Sequence, residues 1–239
     1  MSCKLFKPKM TNKWLFTVAG IPDVANCELL EWCEEGWDVL KFGYMQPHRH
    51  YHNFGHIRTL LNTFEKYKSE FEDPLAVELA IWFHDVVYDP QSKFNEDASA
   101  ELASSLILKL KNIELAKKVK ELIMFTKWSD GSFYTGTLHD LQQNFKYASN
   151  DFFLLRDMDW AGFGLPWDKF QKNGDTLRLE VPYLSDREYA KRYLSFLNSL
   201  IEMRRPLYCS DIFNKKFESK AEENILKAVK IQENFLRTK

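Results

Sequence analysis

The first half of the chain contains a hydrophobic pattern that predicts an amphipathic helix. After His56, apolar residues recur at steps of three and four, and they are Ile57, Leu60, Leu61, Phe64 and Tyr67. This spacing places them on one face of a helix, with polar residues on the opposite face. We therefore expect a helix from about His50 to Phe71 that packs one face into the interior.

A second pattern follows directly and differs in kind. From Leu75 to Phe83 the residues are apolar on nearly every side of a helix, and Glu78 is the one charged side chain. A helix that is apolar all round is buried. The preceding Asp73-Pro74 step favours a helix start, because proline is tolerated in the first turn. The pattern therefore predicts a central, buried helix.

Further patterns predict more helices, so we expect an all-α fold. Residues 1–20 lack a period and predict an irregular lead-in, and Thr126–Asn150 is the least regular part, with turn signals at Ser129-Asp130-Gly131 and Thr135-Gly136. Asn95 is a good N-cap candidate. One expected helix begins at Pro22-Asp23 and ends by Tyr44–Pro47, and another begins after Asn95. The remaining expected helices span about Ile113–Phe125, Asp151–Trp160, Trp167–Asn173, Leu177–Tyr183, Asp186–Arg204 and Ser219–Thr238.

Composition narrows the class of protein. The 239 residues are 45% hydrophobic and 28% charged, an ordinary globular profile, and no apolar run approaches the length of a membrane span. The net charge of −1 argues against general attraction to nucleic acid polymers or anionic membranes. Four cysteines without a Cys-x2-Cys pair, and an N-terminus without an apolar signal region, predict a cytoplasmic protein with reduced thiols.

Candidate chemistry is concentrated where the two helical patterns meet. His52 and His56 are four residues apart, which on a helix would place both imidazoles on one face. His84 and Asp85 come directly after the apolar run. A carboxylate in such surroundings is costly unless it is paired, hydrogen-bonded or bound to a metal. Taken singly, each residue would be an ordinary core histidine or turn aspartate, but together they predict a metal site.

These motifs resemble the HD superfamily of metal-dependent phosphohydrolases, most closely a bacterial-type family of predicted HD phosphohydrolases. That family implies an HD-domain-like helical bundle with a buried metal site. The motifs that carry the resemblance are Tyr51-His52-Asn53-x-x-His56-Ile57, Trp82-Phe83-His84-Asp85-x-Val87-Tyr88-Asp89 and Asn95-Glu96-x-x-Ser99-Ala100. The resemblance covers the chain from about Tyr44 onward. With a length that suits one sizeable domain, we expect a single domain over 1–239, with an N-terminal extension and helix (1–45), a metal-site core (46–165) and C-terminal helices (166–239).

The resemblance also implies the metal ligands. His56 corresponds to the first ligand and His84-Asp85 to the doublet, and the last ligand is an aspartate before a leucine-like residue. Asp159 before Trp160 fits that position, with Asp157 as the alternative; an offset of two places them on different helical faces. The expected cofactor is a divalent ion (Mn, Mg, Fe, Ni or Zn) that activates water to cleave a small, nucleotide-like phosphoester or phosphoanhydride.

Other residues receive roles by the same resemblance. His52 corresponds to the proton donor of the similar motif in cyclic-nucleotide phosphodiesterases, Asp85 would orient water as well as bind metal, and Glu96 could position the attacking water. Asn53 is a candidate substrate contact. Arg178, of the Arg178-Leu179-Glu180 segment, is a candidate clamp for the substrate anion, because guanidinium groups suit phosphate; the alternative is an ion pair with Glu180 or Asp175.

Three alternatives remain open at this stage. The Tyr-His-Asn motif also fits a phosphodiesterase, and a catalytically silent helical metal-binding or interaction module is the second alternative. The third is a metal-dependent oxygenase on the same helical frame, as some HD relatives are, for which two irons and further histidines would be expected; the sequence lacks an obvious set. Related proteins often carry an extra histidine where this chain has Trp128-Ser129, which weakens the case for a second ion. His139-Asp140 is a second His-Asp pair, expected at the surface or a helix start. The sequence leaves open whether the chain forms a homo-oligomer.

Overall fold

All regular structure in the described part of the chain is helical. The computed structural model describes residues 7–22, 26–127, 138–203 and 206–238, and these ranges contain helices and no strand. The all-α prediction is therefore confirmed. The Ser129-Asp130-Gly131, Thr135-Gly136 and Trp128-Ser129 signals lie outside the described residues, as does Asp23 at the predicted start of the second helix.

Eleven α-helices and two short 3-10 turns occur in the described ranges. None of these helices combines the length and apolar character needed to cross a bilayer. The 3-10 turns are Lys68–Glu70 and Ala161–Gly164. The helices are α1 (Lys7–Ala19), α2 (Asn26–Tyr44), α3 (Phe54–Tyr67), α4 (Pro74–Phe83), α5 (Asn95–Leu108), α6 (Ile113–Phe125), α7 (Leu138–Asn144), α8 (Asn150–Trp160), α9 (Trp167–Leu179), α10 (Asp186–Glu202) and α11 (Asp211–Arg237).

Helix α4 is the centre of the fold. It contacts α1, α3, α5, α6 and α8, and every residue from Leu79 to Phe83 is fully buried. Asp73 caps its start by accepting a hydrogen bond from the backbone N–H of Ala76 at 3.0 Å, and Pro74 occupies the first turn. The predicted buried helix is thus confirmed, including its start.

The predicted irregular lead-in over residues 1–20 is wrong, because α1 occupies most of it. Met10, Trp14 and Val18 recur every four residues and are buried. Trp14 stacks on Trp32 of α2 at 5.3 Å between ring centroids. The period is hard to see in the sequence because the neighbouring Phe16 is 80% exposed, so apolar character in this helix does not mark burial.

Helix α3 begins later than predicted. The expected start near His50 is wrong, because Asn53 is the N-cap and the helix starts at Phe54. The Asn53 side chain accepts a hydrogen bond from the Gly55 N–H at 2.7 Å and donates one to the His50 carbonyl at 2.8 Å. His52 therefore lies in the preceding loop, and it is not one helical turn from His56.

The C-terminal third differs from the prediction in two places. Helix α9 is continuous through Gly174, where a break between two helices was expected. Helix α11 begins at Asp211, not near Ser219, because the Ser210 side chain caps it by accepting from the Phe213 N–H. Helix α11 packs on α10 and on the Ala161–Gly164 turn. Asn224 holds that turn in place by donating hydrogen bonds to the carbonyl of Phe163, within the turn, and to the carbonyl of Leu165, directly after it.

The cap predicted at the start of α5 is also wrong. Phe94 is the N-cap and makes no side-chain capping bond, and Asn95 is the first residue of the helix. The Asn95 amide pairs with the backbone of Asp89 in both directions, accepting from its N–H at 2.9 Å and donating to its carbonyl at 2.8 Å. Asn95 therefore closes the loop between the His84-Asp85 doublet and α5.

Candidate metal centre

Two imidazoles reach one point from different helices. His56 lies in the first turn of α3, and His84 follows the last residue of α4. The His84 Nδ1 donates a hydrogen bond to the Ile81 carbonyl at 3.0 Å, because a carbonyl can only accept. This bond fixes the tautomer and leaves the Nε2 lone pair of neutral His84 available as a metal ligand. The Nε2 atoms of His56 and His84 are 3.3 Å apart.

Two carboxylates flank this pair of nitrogens. The Asp85 Oδ2 lies 3.0 Å from His84 Nε2 and 3.7 Å from His56 Nε2. The Asp159 Oδ1, contributed by α8, lies 3.0 Å from His56 Nε2 and 3.6 Å from His84 Nε2. Ligand atoms about 2.1 Å from an ion are spaced about 3.0–3.4 Å from their neighbours, and each carboxylate has one imidazole nitrogen at such a distance, 3.0 Å in both cases. His56, His84 and Asp85 also form a compact potential ligand group by themselves.

Asp159 and Asp157 point to different places, as expected for residues two apart on a helix. Asp157 is fully buried and accepts hydrogen bonds from the Cys209 N–H at 3.0 Å and from the Ser210 N–H and Oγ at 2.6 and 2.7 Å. It therefore holds the start of α11. Among these two aspartates, the structure brings only Asp159 to the histidines.

Three of these side chains, His84, Asp85 and Asp159, have strongly shifted pKa values. Burial raises the pKa of Asp159, but the hydrogen bonds and charges of His56 and His84 together lower it by more, so the net pKa is well below the usual range. Asp85 behaves in the same way: burial raises its pKa, but His84 and the charge of His52 together lower it by more. Burial lowers the pKa of His84, but the charges and hydrogen bonds of Asp85 and Asp159 together raise it by more, so the net pKa is well above the usual value. Two adjacent, largely buried carboxylates require nearby positive charge, and a divalent cation would supply it.

The donor set therefore fits a divalent cation. Two imidazole nitrogens and two carboxylate oxygens are ligands that Zn, Mn, Fe and Ni accept. The His84–Ile81 bond is the kind of outer contact that orients a metal-bound histidine. The predicted ligands His56, His84, Asp85 and Asp159 are thus brought together, from α3, the end of α4 and α8.

His52 lies beside this cluster and is held by Glu180. The His52 Nδ1 and the Glu180 Oε2 are 2.6 Å apart, and the His52 and His56 ring centroids are 6.1 Å apart. Glu180 also accepts from the backbone N–H groups of Tyr51 and His52 at 2.7 and 2.9 Å and from the Tyr88 hydroxyl at 3.0 Å. Burial raises the pKa of Glu180, but the hydrogen bond and charge of the His52 ring, with the backbone hydrogen bonds of Tyr51 and His52, lower it to about 2.

Glu180 in turn affects the charge of His52. Burial lowers the pKa of His52, but the Asp85 charge, the hydrogen bond and charge of Glu180 and the Asp159 charge together raise it by more, so the net shift is upward. The ionised Glu180 accepts the Nδ1 hydrogen, which leaves Nε2 as the nitrogen that could exchange a proton. A histidine arranged in this way suits general acid chemistry near neutral pH.

Arg49 fixes the backbone on both sides of the site. Its guanidinium donates to the carbonyls of His52 at 3.2 Å, Asp85 at 2.5 Å and Val86 at 2.9 Å. Helix α2 also contacts the segment that follows Asp85. A Cβ at Gly43 of α2 would lie 2.4 Å from the Val86 carbonyl oxygen, so only glycine allows α2 to pack so closely against that segment. The loop that carries His52 and the segment after the His-Asp doublet are therefore tied together.

Glu96 and Asn53 lie near the site without a contact that assigns them a role. Glu96 is half-buried in the first turn of α5; burial raises its pKa, and the Asp85 charge adds to the increase. Asn53 uses its amide to cap α3. The predicted water-positioning role of Glu96 and the substrate contact of Asn53 stay predictions.

Arg178 is engaged in local structure. Its guanidinium donates to the Val181 and Leu184 carbonyls at 2.9 and 2.8 Å and pairs with Asp186 at 2.8 Å. Neither alternative ion partner, Glu180 nor Asp175, is the one observed. These bonds hold the turn between α9 and α10, and the predicted anion clamp stays a prediction.

Glu180 is a site residue for which the sequence predicts no role at the metal centre. Its sequence neighbourhood suggests only an ion pair with Arg178, two positions earlier. Its two sequence neighbours, Leu179 and Val181, are apolar, and this is the local sequence feature that favours burial of Glu180. The feature is weak, because Leu179 itself is 55% exposed. Its partners are 128 and 92 residues away, so no local pattern could have named them.

The second His-Asp pair behaves as expected, because His139 is exposed on α7.

A cavity of about 310 Å³ opens beside the cluster. Tyr51, His52 and Asp159 line the end nearest the candidate ligands, and residues of α9 and α10 and of the Ala161–Gly164 turn form the remaining walls. The site can therefore receive a small molecule.

In comparisons with known proteins, the chain matches no protein-family model, no curated protein and no solved structure.

Proposed function

We propose that this chain is a metal-dependent phosphohydrolase of the HD type. The observation that carries the proposal is the meeting of His56, His84, Asp85 and Asp159, which come from three helical elements far apart in the sequence. Their order along the chain, one histidine, an adjacent His-Asp pair and a distant aspartate, is the order of the HD pattern. The helical frame around α4 is compatible with an HD-type bundle.

The ligands would hold one divalent cation, with Mn, Mg, Fe, Ni and Zn as candidates. When bound, such a cation polarises a phosphoryl oxygen and makes water more acidic. The substrate would be a small phosphoester or phosphoanhydride that enters through the adjoining cavity. Asp85 and Asp159 supply the negative charge that retains the cation, and the surrounding apolar helices limit competing water.

The proton for the leaving oxygen would come from His52. Glu180 orients its ring through Nδ1 at 2.6 Å and favours the protonated imidazole. His52 lines the cavity but is not one of the four ligands. A general acid must lie within hydrogen-bonding reach of the departing oxygen, and the cavity wall gives His52 that access. Glu96, close enough to Asp85 to sense its charge, is our candidate for orienting the attacking water.

The test is reconstitution followed by an activity screen. Purified protein is loaded with each candidate metal, its metal content is measured, and hydrolysis of phosphomonoesters, phosphodiesters and cyclic nucleotides is assayed. We expect stoichiometric metal and turnover of at least one class, both lost in Asp85→Ala. Turnover restricted to diesters would identify a phosphodiesterase. Metal bound without any turnover would favour the binding-module alternative, and no bound metal would overturn the proposal.

A further inference from the structure

The cavity beside the candidate metal centre is lined mainly by aromatic rings. Trp160 and Phe163 stack at 5.1 Å with 16° between their planes, and Tyr193 and Phe196 lie 6.5 Å apart with 17° between theirs. Leu177 is the one aliphatic side chain among the described lining residues. Flat aromatic faces bind flat rings well by stacking, whereas an alkyl chain would be expected to lie among aliphatic side chains.

The charges of the cavity divide it into two ends. Asp159 is its one carboxylate, at the metal end, and no lysine or arginine is among the described residues that line it. A phosphoryl group therefore has its partner, a cation held by the ligands, at that end only. The aromatic end suits an uncharged group, for which the half-buried Asn173 amide offers a donor and an acceptor.

Gly174 provides independent evidence that space is left beside the aromatic end of the cavity. It lies in the interior of α9 and lines the cavity. Glycine inside a helix is unfavourable relative to alanine. A Cβ at Gly174 would meet no atom within 4 Å, so the packing of the protein does not require glycine there. Gly174 lines both this cavity and a neighbouring groove between α9, α10 and α11, so a larger side chain there would fill open space beside the aromatic rings.

We infer that the cavity holds the flat aromatic ring of the substrate, either a nucleobase or a simple aryl group, and that Gly174 keeps room for it. The phosphoryl group of the same molecule would lie at the metal centre. This inference rests on the proposed function, and it adds the chemical class of the organic part of the substrate.

The experiment compares phosphate esters that differ only in the ring. Adenosine 5′-monophosphate is paired with ribose 5-phosphate, and 2-phenylethyl phosphate is paired with hexyl phosphate. Each pair has leaving alcohols of similar reactivity. We expect the KM to be at least about tenfold lower for the ring-bearing member of one or both pairs. The first pair reports a nucleobase and the second a simple aryl group.

Variants of α9 and α10 connect that preference to the cavity. Gly174→Leu fills the space and Tyr193→Leu removes a flat face at similar volume, so both should raise the KM of the preferred ring-bearing ester by about tenfold. Lys172→Leu adds the same side chain to α9 at an exposed position outside the cavity and should keep the preference. Calorimetry with adenosine and with ribose measures binding independently of turnover.

The outcomes separate the two proposals. Hydrolysis without preference in either pair, or a preference that both cavity variants retain, would overturn the aromatic-ring inference and leave the phosphohydrolase intact. A preference for hexyl phosphate would also overturn it. If no ester is hydrolysed with any metal, the proposed function fails. In that case, adenosine binding that Gly174→Leu abolishes would still support the cavity assignment, and an absence of binding would reject it.

Discussion

The Glu180 carboxylate accepts the Nδ1 hydrogen of His52 at 2.6 Å, across 128 residues of sequence. The same carboxylate binds two backbone N–H groups of the loop that precedes α3 and the hydroxyl of Tyr88. One buried side chain from the C-terminal third thus fixes the position and protonation of the candidate proton donor.

Replacing Glu180 should change how stability depends on pH. The folded state holds the pKa of Glu180 at about 2, below its ordinary value of 4.5. A depressed pKa contributes stability above pH 4.5, and that contribution is lost as the pH falls through 2. We expect wild type to be more stable than Glu180→Gln at pH 6, with the difference shrinking between pH 4.5 and 2. Urea unfolding at several pH values measures it. Glu101→Gln, at an exposed ion pair with Lys120, should show little difference at any pH.

Removing a ligand should abolish metal binding without unfolding the chain. We expect His84→Ala to bind less than about a tenth of the wild-type metal, because the remaining ligands lose one of two imidazoles. The matched control is His139→Ala, which alters the exposed histidine on α7 and should bind metal normally. Elemental analysis after reconstitution gives the content, and circular dichroism confirms that both variants are helical. Equal metal in the two variants would contradict the assigned site.

The two aspartates of α8 should give opposite phenotypes. Asp159→Asn removes a carboxylate beside His56 and His84, so metal content should fall well below that of Asp157→Asn. Asp157→Asn disturbs the buried bonds to Cys209 and Ser210 and should cost about 1–3 kcal/mol of unfolding free energy. Metal analysis and denaturant unfolding of both variants test this pair. The reverse pattern would make Asp157 the ligand.

Two helix-interior glycines should respond oppositely to alanine. Gly174→Ala places a methyl group in open space and should stabilise the chain by up to about 1 kcal/mol. Gly36→Ala would place its Cβ 2.6 Å from the Trp14 ring and should be destabilising. Thermal unfolding of the two variants tests the comparison. A loss of stability in Gly174→Ala would show that the glycine is needed for packing.

Arg178→Ala distinguishes structural anchoring from substrate binding. The guanidinium bonds to Val181, Leu184 and Asp186 predict a loss of about 1–2 kcal/mol of stability, with the KM for a phosphoester unchanged. Unfolding curves and steady-state kinetics provide the two readouts. A raised KM at unchanged stability would instead support the anion clamp.

The sequence was informative where structure is local. The unbroken apolar run from Leu75 to Phe83, with its Asp73-Pro74 start, predicted α4 correctly. That helix carries His84 and Asp85 at its end, and the two-residue offset separated Asp159 from Asp157. In each case the deciding signal lies within a few residues, at the range over which periodicity and capping act.

Errors arose where distant contacts decide the conformation. Trp14 makes α1 a packed helix through Trp32, although the exposed Phe16 obscures its period. Asn95 pairs with the Asp89 backbone and does not cap α5, and Glu180 reaches His52 from the other end of the chain. A capping residue and a loop-closing residue have the same sequence signature, and only the tertiary fold chooses between them.

Glu180 follows α9, outside the 46–165 segment that holds all four candidate ligands. A fragment ending at residue 165 would therefore leave the amides of Tyr51 and His52 and the His52 ring without their shared acceptor. Any shortened version meant for crystallography or transplantation into another protein should consequently retain the chain at least through the turn after α9.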